Sequence, residues 1–257
     1  MNIVVCIKQV PDVDDIKWTK ENNLDRAQML SKLNLYDQWA LDYAIKIKNN
    51  FKQATLTVIS MGPNQAKEIL NYALAKGATR AILLSDKFFS ASDTLITAKI
   101  LAQGIRKYLS DFDLILTGQM AQDGDTAQVP VSLAQELDII DVINVEEIYN
   151  ADKNMAIVSK KSDFKTEMIE VKTPCLLAIK KVCSEVYTPK IDDYIRAQDT
   201  QIETYSMEDL GFTKEEVGIL GSPTTVFKAF RPTIQKETKT ILENEASEIL
   251  NLVKKAQ

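Results

Sequence analysis

The chain has 257 residues, enough for one large domain with appendages, and its 45% hydrophobic and 26% charged residues are ordinary for a globular protein. Its formal net charge of −5 has the wrong sign for neutralising a phosphate backbone, which argues against nucleic acid as a partner. It contains no histidine, which excludes His-dependent triads, His-containing zinc sites and histidine proton shuttles. No catalytic side chain and no metal ligand set is expected, and if the protein takes part in chemistry a bound cofactor is expected to carry it.

The opening MNIVVCIKQVPD reads as a buried first strand. It has no basic leader, and its apolar run stops at Lys8. No apolar stretch approaches the roughly 18–20 residues that span a bilayer, so no membrane insertion is expected. Cys6, Cys175 and Cys183 lie far apart and are odd in number, which argues against a disulfide framework and fits the cytoplasm.

Residues 2–8 form a strand rich in Val and Ile. Residues 9–33 are polar and irregular and predict a long loop or a small hairpin. Asn34 is placed to N-cap a helix running to about Lys48, with Asp37 in the first turn, where a carboxylate complements the dipole. Ala40, Leu41, Ala44, Ile45 and Ile47 recur there at helical spacing. Residues 54–60 (a strand), the turn Met61-Gly62-Pro63 and a helix over residues 64–76, ended by Gly77, repeat the plan. A third strand (residues 81–84), an amphipathic helix (92–109), a fourth strand (112–117) and another helix (128–137) follow. This alternation predicts an α/β, Rossmann-like fold: a mainly parallel sheet with helices on both faces.

Beyond Asp138 the rhythm changes. Residues 139–180 hold strand-like runs (VINVEEIY, MAIVSKK, TEMIEVK, CLLAIKK) without long helices between them, which predicts added antiparallel strands. Residues 183–204 are polar and turn-rich, and residues 213–235 show little periodicity. A final helix over residues 236–255 carries a stripe of Ile241, Leu242, Ile249, Leu252 and Val253. Such a tail either packs on another subunit or folds back on its own domain.

The strongest local signal is DLILTGQMAQDGDTAQVPVSLAQEL, residues 113–137. An apolar strand ends at Gly118, a polar loop follows, and a helix begins near Gln128. Loops at the carboxyl ends of parallel strands are where ligands bind in open sheets. Free N–H groups at a helix start favour a phosphate. Pro130 belongs in the first turn, where no donor is required, which leaves the donors at residues 126–129. The Thr126 hydroxyl and the Gln128 amide are available to the same phosphates. The plainer alternative is a tight strand-to-helix turn in which Asp125 or Thr126 only caps the helix.

The loop GQMAQDGDTAQV resembles the beta-subunit signature of electron-transfer flavoproteins, G-x-Q-A-x-D-G-D-T-A-Q-V-G-P. VVCIKQVPD, NLYDQWALDYAIKIK, VISMGP and ALAKGATRAILLSD match further blocks of that family in order, so the resemblance covers about residues 1–200. It implies a Rossmann-like domain that pairs with an alpha subunit carrying the electron-transferring FAD, and that binds a second adenine nucleotide at the carboxyl edge of its sheet. That nucleotide is structural AMP in many members. In the electron-bifurcating branch it is a second FAD, with NADH as donor, ferredoxin as one acceptor, and an acyl-CoA, enoyl-CoA or 2-hydroxy-acid dehydrogenase as partner. The D-G-D-T-A-Q-V form here resembles the FAD branch more than the D-x-N-x-T-G-Q form of AMP binders.

Carried over, the nucleotide contacts implied by the resemblance are Cys6, Asn34, Leu35, Tyr36, Asp37, Met61, Gly62, Gly118, Asp123, Gly124, Asp125, Thr126, Ala127, Gln128 and Val129. Cys6 reads equally well as a small core residue. Departures from the family pattern are Val13, Leu35, Met120 and Pro130, and Lys190 or Ile191 where an apolar anchor toward the dehydrogenase is usual. The implied organisation is a nucleotide-binding α/β domain over residues 1–212, and a C-terminal arm and helix over residues 213–257 that pack on a partner subunit. The competing class is a nucleotide-binding protein resembling adenine-nucleotide hydrolases, with no such partner.

Overall fold

The computed structural model describes residues 1–12 and 31–226. Residues 13–30, with Val13, and residues 227–257, with the helix expected over 236–255, lie outside the described residues.

Four strands and four helices build the first half: β1 (Asn2–Cys6), α1 (Leu35–Asn49), β4 (Thr55–Met61), α2 (Lys67–Lys76), β5 (Arg80–Leu84), α3 (Thr94–Tyr108), β6 (Leu114–Gly118) and α4 (Val129–Leu137), with the short β2 (Gln9–Pro11) and β3 (Ser31–Leu33) after β1. β2 and β3 pair antiparallel, so of the two forms expected for residues 9–33, a long loop or a small hairpin, the ends of the segment take the paired one. The second half adds β7 (Ile140–Ala151), β8 (Met155–Lys161), β9 (Thr166–Lys172), β10 (Cys175–Ile179), α5 (Ile191–Gln198), β11 (Glu203–Tyr205), and the short α6 (Met207–Leu210) and α7 (Gly218–Gly221). The helix expected from residue 64 begins with a 3₁₀ turn, Asn64–Ala66, and becomes α-helical at Lys67.

The main sheet runs β11-β5-β4-β1-β6-β10-β7-β8-β9. Its first seven strands are parallel, and β8 and β9 are antiparallel additions. The fold is α/β and Rossmann-like, as the alternation predicts. The expectation of added antiparallel strands holds for β8 and β9 but not for the other two runs: VINVEEIY lies in β7, which pairs parallel with β10, and CLLAI (β10) is a parallel strand inserted beside β6. All five of its residues are buried, the pattern of a strand covered on both faces, and the hairpin β8–β9 returns the chain in the direction that permits it.

Successive side chains of β1 leave the sheet on opposite faces. Val5 joins Leu116, Ala40, Leu41 and Ala44 under α1 and α2. Val4 and Cys6 join Ile115, Ile100 and Leu133 under α3 and α4. A buried ion pair between Lys76 and Asp42 ties α2 to α1, and among the described residues the second Asp42 oxygen has no partner.

From β1 the chain steps to β4 and β5 on one side, then crosses back to β6 on the other. The carboxyl ends of β1 and β6 are therefore the point at which the winding reverses, where parallel sheets open a crevice.

Candidate functional site at the carboxyl edge of the sheet

Asp37 closes the floor of this crevice. One carboxylate oxygen accepts the Lys8 backbone N–H at 2.8 Å, just past β1, and the other accepts the Gly118 N–H at 3.0 Å, at the end of β6. The side chain is buried, and burial is the chief reason its pKa is pushed up to about 7. The bonds from Asn34, Lys8 and Gly118 offset only part of that rise. Gly118 is required by close approach: a Cβ there would lie 2.4 Å from the Asp37 carboxylate and 2.6 Å from the Tyr36 Cβ.

Asn34 stands at the N-cap position of α1 but makes no capping bond with its side chain. The amide instead reaches across the crevice, where its nitrogen donates to Met120 O at 2.9 Å and its oxygen accepts Gln122 N–H at 3.1 Å. Gln122 returns the contact by accepting the Leu35 N–H at 3.3 Å. Lys8 Nζ pairs with Asp123 at 2.7 Å on the exposed rim. The start of α1 and the loop after β6 are thus cross-braced.

The loop itself turns on Ala121 O, which accepts the N–H groups of Gly124 and Asp125 at 3.2 and 2.8 Å. Asp125 and Ala127 have positive φ, +50° and +53°, while Gln128 is right-handed at −92°, −33°. Alternating hands turn successive N–H groups toward one side, the geometry of an anion-binding nest. Among the described residues, the amides of Thr126, Ala127, Gln128 and Val129 donate to no protein acceptor. Neither Asp125 nor Thr126 caps α4. Its N-cap is Gln128, without a side-chain capping bond, and Pro130 sits in the first turn. The Gln128 side chain accepts instead from the Thr94 hydroxyl at 2.8 Å. At Gly124 a Cβ would meet nothing within 4 Å, so the loop is open there.

Cys6 is buried on the α3/α4 face at the end of β1, and burial, with the nearby Asp37 charge, pushes its thiol pKa up. It therefore stays a protonated, inert thiol at neutral pH. Met61 and Gly62 end the neighbouring strand, with Gly62 N–H donating to Leu84 O at 3.0 Å. Every residue singled out from the sequence lies on β1, β4 or β6 at their carboxyl ends, or in the α1 start and the loop that brace them. Lys8, Gln119 and Gln122 were missed. Gln119, which accepts the Asn144 N–H at 2.7 Å and so ties the loop to β7, lies inside the recognised motif, and its glutamine was the available signal.

Two cavities lie at the opposite edge. One, of about 360 Å³, is lined by the ends of α1 and α2, residues 77–79 and α5, and another, of about 250 Å³, by the starts of β1, β4 and β5. The first faces the carboxyl ends of helices, where the dipole repels an anion. Its cations are engaged: Lys48 with Gly77 O, Lys76 with Asp42, and Arg196 with Asp193. The carboxyl edge offers an anion the amides of residues 126–129, which donate to no protein acceptor among the described residues.

Residues 23–210 match the family model described as Electron transfer flavoprotein domain. The chain belongs to the electron transfer flavoprotein family. It is 40% identical to the Caffeyl-CoA reductase-Etf complex subunit CarD of Acetobacterium woodii, over 90% of this chain and 88% of that protein. It is 37% identical to the electron transfer flavoprotein subunit beta of Clostridium acetobutylicum (94% and 92% covered), and 36% identical to Protein FixA of Azotobacter vinelandii (100% and 93%).

Electron transfer flavoproteins use flavin and nucleotide cofactors, and the residues at this edge fit such a group. Four adjacent amides without protein partners suit phosphate oxygens, and the open backbone at Gly124 admits close approach. No described helix is long and apolar enough to cross a membrane.

Proposed function

We propose that this chain is the nucleotide-binding beta subunit of an electron transfer flavoprotein, with FAD held at the carboxyl edge of β1 and β6. The observation that carries the reading is the run of four unpartnered amides, at residues 126–129, where the winding of the sheet reverses. These amides and the Thr126 hydroxyl would hold the diphosphate, while Cys6, Met61 and Gly62, with residues 34–37, would flank the adenosine. Asp37 and Asn34 fix the spacing between α1 and the loop. Bound FAD supplies two-electron exchange with NADH and one-electron exchange with other carriers; the protein contributes binding, orientation and exclusion of water.

FAD is favoured by the D-G-D-T-A-Q-V loop and by the number of donors, since a diphosphate engages more of them than a monophosphate. The likeness to a subunit of a caffeyl-CoA reductase-Etf complex supports a partner that acts on a CoA ester. An alpha subunit and an electron-bifurcating role, with ferredoxin as one acceptor and a 2-hydroxy-acid dehydrogenase as the other partner class, rest on the D-G-D-T-A-Q-V loop. The apolar side chains of Ile191, Tyr194 and Ile195, exposed on α5, support a docking face for the partner dehydrogenase. The second reading is structural AMP. It is favoured by Pro130, which removes one donor from the first turn of α4. The nucleotide released on denaturing the purified complex tests both: two FAD per heterodimer is expected, and one FAD with one AMP would overturn the FAD reading.

A further inference from the structure

We propose that Asp93 and Thr94, adjacent at the start of α3, couple the nucleotide loop to the C-terminal arm, so that bound nucleotide and arm hold each other in place. The inference rests on the nucleotide reading above and adds two positioning residues to it.

Asp93 is the N-cap of α3, and one of its carboxylate oxygens accepts the Ile96 N–H at 3.0 Å. A cap uses only that oxygen. The other accepts from the arm, taking both the Thr224 N–H at 3.1 Å and the Thr224 hydroxyl at 2.8 Å. The Asp93 N–H donates to the Ser222 hydroxyl oxygen at 2.9 Å, and that hydroxyl donates to Gly218 O at 2.6 Å. The arm's approach is tight: Gly218 has φ +59°, and a Cβ there would lie 2.1 Å from Phe88 O. Residues 218–224 are therefore seated on the carboxyl edge beside the crevice.

The next residue faces the other way. The Thr94 hydroxyl donates to Gln128 Oε1 at 2.8 Å, and Gln128 is the N-cap of α4, within the run of free amides. An anion bound by those amides fixes the Gln128 backbone and hence its side chain. Thr94 carries that restraint to the first turn of α3, where Asp93 holds the arm. The connection is a chain of hydrogen bonds between packed helix starts, the kind of contiguous network through which coupling travels. Coupling of this kind is reciprocal, so the arm must tighten nucleotide binding by the factor with which nucleotide tightens the arm.

Hydrogen exchange on the full-length chain, with FAD and AMP each as probe, tests this. In the wild type, nucleotide should slow exchange at residues 126–129 and, by about fivefold or more, at Ser222 and Thr224. Thr94→Val should abolish the second effect and leave the first visible, while Thr94→Ser, which keeps the hydroxyl, should retain both. Thr224→Val, which leaves the α3 cap intact, should raise the nucleotide Kd by the factor seen in exchange. Protection at 126–129 with unchanged exchange at 222 and 224, or equal coupling in Thr94→Val, overturns the coupling alone. No protection at 126–129 overturns the nucleotide reading, and the coupling with it.

Discussion

Asp37 accepts the Gly118 N–H at 3.0 Å from a residue 81 positions away, and its carboxylate stands where a Gly118 side chain would begin. One contact therefore sets both the width of the crevice and the residue type at the end of β6. Gly118→Ala is expected to destabilise the fold by roughly 1–3 kcal/mol, the usual cost of overpacking a tight site. Gly124→Ala meets no protein atom and should leave thermal unfolding unchanged while weakening nucleotide binding. Equal loss of stability in both variants, followed by denaturant titration, would contradict this division of roles.

The Asp37 carboxyl has a native pKa raised to about 7 by burial, against about 3.9 in an unfolded chain. Between those values the native state holds a proton that the unfolded state has lost, so stability falls as pH rises through that window and levels off above it. The limiting slope from this group is about 1.4 kcal/mol per pH unit. Asp37→Asn removes the titration and should flatten the profile between about pH 4 and 7. Urea midpoints measured across that range in both proteins give the comparison, and an unaltered slope in the variant would refute the assignment.

Lys76 and Asp42 form a pair whose side chains are almost wholly buried, with one Asp42 oxygen left without a partner among the described residues. Burial raises the Asp42 pKa, and the Lys76 contact opposes it. Lys76→Met strands a carboxylate in the α1–α2 interface and is expected to cost about 3–5 kcal/mol. Adding Asp42→Leu to that variant should recover most of the loss, because two apolar side chains need no compensation there. A double variant as unstable as the single one in chemical denaturation would show that the pair holds the interface by shape rather than charge.

The apolar stripe of Ile241, Leu242, Ile249, Leu252 and Val253 leads us to expect that residues 236–257 contact a partner subunit. Deleting them should weaken heterodimer formation, measured by ultracentrifugation, while the circular dichroism melt of the α/β domain is preserved. Unfolding of the truncated chain with the partner contact intact would place this segment in the domain's own core.

The alternation of apolar runs with helical periods was enough to specify β1, β4, β5 and β6 and the helices between them, because burial on one face or two is written at spacings of two to four residues. The loop chemistry was local as well: Gly118, Pro130 and the residues between them name a strand end, a turn and a helix start wherever they occur. Other features depended on the tertiary structure alone. The run CLLAI reads the same as an edge or a central strand, and only pairing with β6 made it central. Asn34 carries the sequence mark of a helix cap, yet its amide is held by Met120 and Gln122. Asp93 likewise reads as a cap and nothing more, until Thr224 arrives from 131 positions away. In each case the side chain has a local role it can fill, and a more distant partner that is absent until the chain has folded. The choice between them is a difference in hydrogen-bond and desolvation energy that no local pattern contains.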